Sequence, residues 1–335
     1  MESKSSNKNL HAAKNSKKDE FYTQLSDIEK ELSHYKDHFQ GKVVFCNCDD
    51  PRVSNFFNYF SYNFERLGLK KLITTCYKNQ NADLFSEHKS EKAVYLKYMG
   101  DKNGNKIPDP EEIGIKHLKG DGDFRSPECI KLLKEADIVV TNPPFSLFRE
   151  YVGQLIDYDK DFITIGSLNS ITYKEIFKLI KENKLWLGYG FSGGNAYFTT
   201  PHSKEFANGV YNEETGLVKF RNVAWFTNMD YEERHEELIL YKKYSKKEYP
   251  KYDNYDAINV DKTKDIPMDF KGAMGVPITF LDKHNPNQFE ILGMSASAGY
   301  NKEVVGIPFL GDKDARPLLN GKNTYARIFI KNKKL

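Results

Sequence analysis

The residues best equipped for chemistry are Asn142, Pro143, Pro144 and Phe145, which close the run DIVVTNPPFSLF at positions 137–148. Ile138, Val139 and Val140 form a β-branched run, the mark of a strand covered on both faces. The two prolines that follow lack backbone donors and fix the chain direction. They leave two acceptors beside a flat ring: the Asn142 side-chain oxygen and the Pro143 carbonyl, held rigid by Pro144. Such a set suits an exocyclic aromatic amine such as that of adenine. That amine is a poor nucleophile, because its lone pair is delocalised into the ring. Accepting its two N–H protons stabilises the charge that develops on nitrogen in the transition state. Phe145 offers a flipped base a face to stack on. This chemistry needs neither a metal nor a strong base.

A motif of this kind needs a rigid support, and strands alternate with helices around it. Asp19 to Phe39 reads as an approach segment and then a helix, with Leu25, Ile28, Leu32 and Tyr35 at helical spacing. KVVFCN (42–47) and KLITTC (71–76) read as strands, separated by an aromatic-rich helix from Val53 to Leu67. A helix containing Ile130–Lys134 feeds the strand Ile138–Thr141, and a helix from Phe148 to Ile156 leads to the strand FITIGS. A helix Tyr173–Glu182 then precedes LWLGYG, and NVAWFT from Asn222 closes the set. This alternation predicts an α/β fold with a mostly parallel sheet, helices on both faces and an antiparallel edge strand. In open sheets of that class, ligands bind at the carboxyl ends of the strands.

Beyond Tyr244 the texture changes to short apolar runs broken by Gly and Pro, which predicts a small β-rich or mixed region. The expected organisation is a disordered basic tail over 1–18, a catalytic domain over 19–244 and a recognition region over 245–335. Residues Asn79 to Lys119 read as an insertion with a hairpin around GDKNGNK.

The segments CNCDDPRVSNFF, GDGDFRS, TNPPFSLFREYV and MGVPITFLDKHNPNQFEI resemble those of EcoRI-type DNA adenine-N6 methyltransferases, and the resemblance covers most of the chain. It implies a Rossmann-like methyltransferase fold, S-adenosyl-L-methionine as cofactor, and duplex DNA as partner. It also implies a restriction–modification or phage modification setting, with GAATTC as the family-level recognition site. The segment DEFYTQ resembles the one that wraps the cofactor, which places Tyr22 and Thr23 beside it. The resemblance sets Asp49, Asp50 and Pro51 against the methionine part of the cofactor, and Asn142 at the boundary of cofactor and base. Here DDPR replaces the glycine-rich turn common in the wider superfamily. No acidic residue follows the second strand, where Asn79 or Gln80 is the candidate substitute. GDGDFRS resembles the adenine-binding turn, with Asp121 or Asp123 accepting from the cofactor's amino group and Phe124 packing its ring. The same motif class also serves RNA adenine, cytosine N4 and protein glutamine, and an inert DNA-binding module is a further alternative.

The net charge of +3 neither demands nor opposes a nucleic-acid partner. Its 21 Tyr and 23 Phe suit base stacking and an AT-rich coding bias alike. Cys46, Cys48, Cys76 and Cys129 fit neither a disulfide framework nor a zinc pattern, and Cys46 and Cys48 are expected on one face of a strand. Asp101, Asn103, Asn105, Ile107, Asp109 and Glu112 fall at calcium-loop spacing, but Lys106 stands where the loop requires glycine. No metal is expected. GYGFSGGNAYF (188–198) lacks phosphate-loop spacing and is expected beside the site, with Tyr197 and Phe198 as candidates to grip a base. His202, His235 and His284 receive no role. With no span long enough for a bilayer and no secretory signal, the chain is expected to be cytoplasmic, and a monomer is the expected form.

Overall fold

The computed structural model describes residues 21–48, 50–77, 93–101, 104, 108, 113–191, 194–200, 210–295, 306–307 and 316–335. The 1–18 tail, Asp49, Asn79, Gln80, His202 and most of the calcium-like loop lie outside the described residues. The chain divides into two compact units, Met1–Leu168 with Gly188–Met229, and Asn169–Leu187 with Asp230–Leu335.

The first unit runs β1 (Tyr22–Thr23), α1 (Leu25–Leu32), β2 (Val43–Cys46), α2 (Asn55–Tyr62), β3 (Lys71–Cys76), β4 (Val94–Tyr98) and β5 (Lys116–His117). It continues with α3 (Pro127–Glu135), β6 (Ile138–Thr141), α4 (Phe148–Asp157) and β7 (Asp161–Ser167). The chain then supplies α5 (Lys174–Lys181) and β8 (Trp186–Leu187) to the second unit. It returns with β9 (Asn195–Thr199), β10 (Tyr211–Asn212), β11 (Leu217–Arg221) and β12 (Val223–Thr227).

Within this unit the large sheet has the order β5-β4-β3-β2-β6-β7-β12. Strands β3, β2, β6 and β7 are parallel, whereas β4, β5 and β12 run antiparallel to their neighbours. The sheet is therefore mixed. The expected antiparallel strand at the end of the set is β12, paired with β7 from Val223↔Ser167 to Thr227↔Ile163. The opposite margin is also antiparallel, because β4 and β5 flank the GDKNGNK segment and pair with each other. Strands β2 and β6 are buried along their whole length, which accounts for their unbroken apolar sequence. Asp137 sets their register: its carboxylate accepts from Val43 N at 2.8 Å and its N–H donates to Val43 O.

Helix starts follow the local chemistry. Ser54 caps α2 by accepting from Phe56 N and Phe57 N, and Ser126 caps α3, with Pro127 in its first turn. A second sheet, ordered β1-β9-β11-β10, is wholly antiparallel.

The second unit adds β13 (Ile258–Asn259), β14 (Met274–Pro277), β15 (Phe289–Met294), β16 (Leu318–Leu319), β17 (Lys322–Asn323) and β18 (Arg327–Asn332). Its main sheet has the order β13-β14-β18-β15, over a core of Tyr252, Tyr255, Ala257 and Phe329. The β-rich texture read beyond Tyr244 corresponds to this sheet. The compact division falls earlier, at Met229, and takes Asn169–Leu187 with it. The reason is packing: α5 buries Ile176, Phe177 and Ile180 and packs on β15. Strand–helix alternation does not reveal that partner.

Candidate active site

Strands β3 and β6 lie on opposite sides of β2, so the chain order reverses between β2 and β6. A crevice forms at the carboxyl ends of parallel strands where order reverses in this way. Asn47 follows β2 and Asn142 follows β6, and the Thr141 hydroxyl donates to the Asn47 carbonyl to join the two strand ends. The Asn47 side chain is also committed, its Oδ1 accepting from Thr75 Oγ1 at 2.8 Å and Cys48 N at 2.9 Å. Cys48 turns the chain at φ +70°, so it leaves the strand face on which Cys46 lies. All four cysteines are free thiols.

The Asn142 amide is held from one end. Its Nδ2 donates to Phe21 O at 2.7 Å and to Thr23 Oγ1 at 3.4 Å. A carbonyl only accepts, so this contact fixes which end of the amide carries nitrogen. Asn142 Oδ1 is left buried without a hydrogen-bond partner. An unsatisfied buried acceptor costs about 1–3 kcal/mol, a cost that a ligand donor removes. Asn55, the first residue of α2, supports this arrangement by donating to Thr23 O at 2.7 Å. Pro143 is buried, and no described residue donates to its carbonyl.

Aromatic rings surround the amide. Phe145, half-buried, opens a short 3-10 turn and stacks on Phe21 with centroids 6.0 Å apart at 28°. Phe21 also meets Phe198 and Phe220, while Phe198 approaches Phe145 edge-on at 6.4 Å. Phe198 is fully buried in this wall and Tyr197 points outward, 37% exposed, with the Lys219 ammonium 5.8 Å from its ring. The two base-gripping candidates thus differ: Phe198 supports the wall, and Tyr197 has an open face. Tyr22 and Thr23 reach the site through β1, whose pairing with β9 sets Tyr22 opposite Thr199 and Thr23 opposite Phe198.

The candidate cofactor residues form two similar turns. Asp50 Oδ1 accepts from Arg52 N and Nε, and Oδ2 accepts from the same guanidinium at 2.6 Å. Asp123 repeats this with Arg125, through N at 2.8 Å, Nε at 2.9 Å and Nη2 at 2.6 Å. That guanidinium holds the Asp123 carboxyl below the usual carboxylate range. Arg125 reaches on to Glu150 at 3.0 Å. Pro51 is buried between Asp50 and Arg52. Asp121 is exposed and accepts from Asp123 N at 3.0 Å. Phe124 is buried edge-on against Tyr151 at 5.0 Å, and Gln154 Nε2 donates to its carbonyl.

Gly122 brings this second turn to the strand ends. At φ +82° a Cβ on it would lie 2.5 Å from Cys76 O, at the end of β3. Asp50, Gly122 and Asn142 thus follow β2, approach the end of β3 and follow β6, all at one edge of the parallel strands.

Phe21, Asn55, Arg52 and Arg125 are site residues that sequence reasoning missed. The D-x-R spacing, present in both DPR and DFR, was the signal available for the arginines. Among the described residues, no group of three His, Cys, Asp or Glu side chains is arranged to hold a metal, and no helix is long and apolar enough to cross a membrane. His235 pairs with Asp230 at 2.7 Å and His284 is held by Phe289 O, with burial pushing the His284 imidazole down to about 4.

The family model described as adenine-specific methyltransferase EcoRI matches residues 9–333. The chain is 52% identical to the Type II methyltransferase M.EcoRI of Escherichia coli, an alignment covering 100% of this chain and 99% of that one. It is 37% identical to the Type II methyltransferase M.MgeORF184P of Mycoplasma genitalium, over 97% of this chain and 99% of the other. It is 36% identical to M.MpnI of Mycoplasma pneumoniae, over 97% and 98%. No solved structure matches the chain. With the family matched along nearly its whole length, and with an asparagine acceptor waiting at the end of β6, the chain belongs to the EcoRI adenine-specific methyltransferases.

Proposed function

We propose that this enzyme moves a methyl group from S-adenosyl-L-methionine to N6 of an adenine flipped out of duplex DNA, within a restriction–modification system. The observation that carries the reading is the Asn142 amide, tied through Nδ2 to Phe21 O with Oδ1 left without a partner. Oδ1 accepts one N–H of the target amine and Pro143 O the other, and Phe145 stacks on the base. Hydrogen bonds from the amine to these two acceptors build electron density on nitrogen as it takes the methyl group and lower the barrier without a dedicated base, and the proton that the methylated nitrogen sheds passes to water. Phe21 and Phe198 back the stacking ring and exclude water from the acceptors.

The loops fit the proposed cofactor. Asp50 and Asp123 each use three acceptor sites on their own arginine, so each keeps one lone pair on Oδ2. Asp50 would hold the methionine ammonium and Asp123 the adenine amine, with Pro51, Asp121 and Phe124 shaping the two turns around them. Tyr22 and Thr23 would close over the methionine part from β1. When bound, the cofactor supplies the electrophilic methyl group. The fold reading is accordingly the Rossmann-like methyltransferase class, with target recognition assigned to the C-terminal region and cytoplasmic monomers as the working form.

A long-read modification map of DNA exposed to the enzyme and cofactor tests the whole reading. N6-methyladenine at one short sequence, with GAATTC expected, supports it. Methyl transfer to RNA, cytosine or protein in place of duplex adenine would sink it.

A further inference from the structure

Glu31 is fully buried, and none of the chemistry above uses it. It lies on α1, on the helix face that Ile28, Leu32 and Tyr35 share. Its Oε1 accepts from Tyr189 N and its Oε2 from Gly190 N, both at 2.9 Å, and the Tyr35 hydroxyl donates to Oε1 at 3.1 Å. Gly188, just before those donors, has no room for a side chain, because the Glu31 carboxylate and Trp225 Cβ fill that space. Among the described residues no cation pairs with the carboxylate, so two successive backbone donors and a phenol are what satisfy it. A buried ionised group is seldom the most stable filling for such a place. Stability alone does not account for a carboxylate here.

The gripped loop leads somewhere specific. Gly188–Phe191 enters β9 after Phe191 has stacked on Trp225, with centroids 5.5 Å apart. Strand β9 pairs with β1, and α1 starts two residues after β1 ends. The path from β1 through α1, Glu31, the loop and β9 therefore closes on itself. Phe21, at the start of β1, presents the carbonyl that fixes the Asn142 amide.

We infer that Glu31 is a positioning residue for methyl transfer, a carboxylate clasp that holds β1 against β9 so that Phe21 keeps the Asn142 acceptor directed at the target amine. This rests on the reading of Asn142 as that acceptor. Burial pushes the Glu31 carboxyl up to about 7, against the pull of its donors. A protonated carboxyl gives up one of the two backbone bonds, so the clasp loosens on protonation. The titratable groups around it are Lys30 on α1, Tyr35 and His34 in the 3-10 turn Ser33–Phe39 that follows it, and Tyr189 on the loop, on whose ring His34 stacks at 3.9 Å.

The test uses the full-length Glu31→Gln variant beside Asn142→Ala, with a duplex carrying the mapped site. Glutamine keeps the shape and one acceptor but turns an NH2 group toward a backbone N–H. The expected result is a kcat lowered roughly tenfold, the effect of one misdirected hydrogen bond, with KM for cofactor and DNA within about twofold. Wild-type kcat should also fall between about pH 8 and about pH 6, while that of Glu31→Gln stays flat over the same range, because glutamine does not titrate. A normal kcat in Glu31→Gln beside an inactive Asn142→Ala would overturn the clasp and leave the acceptor standing. A lower Tm with matching loss of cofactor binding would also overturn it, making Glu31 a residue of the fold. An active Asn142→Ala would remove the reading on which the clasp depends.

Discussion

Asn142 and the pair Asp50 and Asp123 meet the same problem, an acceptor at a strand end, in opposite ways. Each aspartate folds its carboxylate back on an arginine two residues later, so three of its contacts are local and already made. Asn142 is neutral, is tied by its nitrogen to a carbonyl 121 residues away, and leaves its oxygen unmet. The difference suits the two roles proposed for them. A turn that binds a ground-state ligand gains from being rigid beforehand. An acceptor that acts on developing charge gains most from being aimed and otherwise unengaged.

The sharpest way to break this contrast is Asn142→Ala. It should lower kcat about 100- to 1,000-fold while cofactor affinity by calorimetry stays near wild type. A variant keeping a third or more of wild-type turnover would end the assignment. Phe145→Ala should weaken the flipped-base complex by roughly 1–3 kcal/mol, read as a loss of 2-aminopurine emission at the target position. Equal emission from both proteins would transfer the stacking role to another ring, with Tyr197 the exposed candidate.

Arg125→Ala should act in the other kinetic constant. Freeing Asp123 from its fork should raise KM for the cofactor about fivefold with kcat little changed, since the contact serves binding in ground and transition states alike. A fall in kcat at constant KM would mean that the two kinds of acceptor are not divided as drawn.

The smallest effect is a pH trend with opposite signs in rate and stability. The folded-state Glu31 carboxyl titrates near 7, above its unfolded value of 4.5. Its protonation therefore favours the folded state below 4.5, and this contribution is lost as pH rises through about 7. Relative to Glu31→Gln, wild-type Tm should drop between those limits even as its turnover rises. Parallel trends in both would contradict the trade.

The turn at the end of β6 was legible as structure because its signals are local. A β-branched run, two prolines and an aromatic define β6, its sharp end and the start of α4 within a dozen residues. The partner that orients Asn142 was not legible, since nothing near Phe21 marks its carbonyl as a hydrogen-bond acceptor. Glu31 lay in between. Its place beside Ile28, Leu32 and Tyr35 put a charge on an apolar helix face, which is an available warning of a buried role. The division between units was hidden for a tertiary reason: α5 has the same amphipathic pattern whichever sheet it covers. The short 22–23 strand was also beyond reach, because two residues carry no periodicity.

The pairing of β1 with β9 also sets a schedule for the newborn chain. Thr23 leaves the ribosome early, but its partner Phe198 is 175 residues behind it. At roughly 5–20 residues per second, that separation amounts to about 10–35 s of synthesis. In the last part of that interval, once Asn142 has been made, the asparagine can be present and the large sheet partly formed without the second strand that backs β1. Competence for modification is thus postponed until more than half of the polypeptide exists, by topology alone and with no inhibitor to remove.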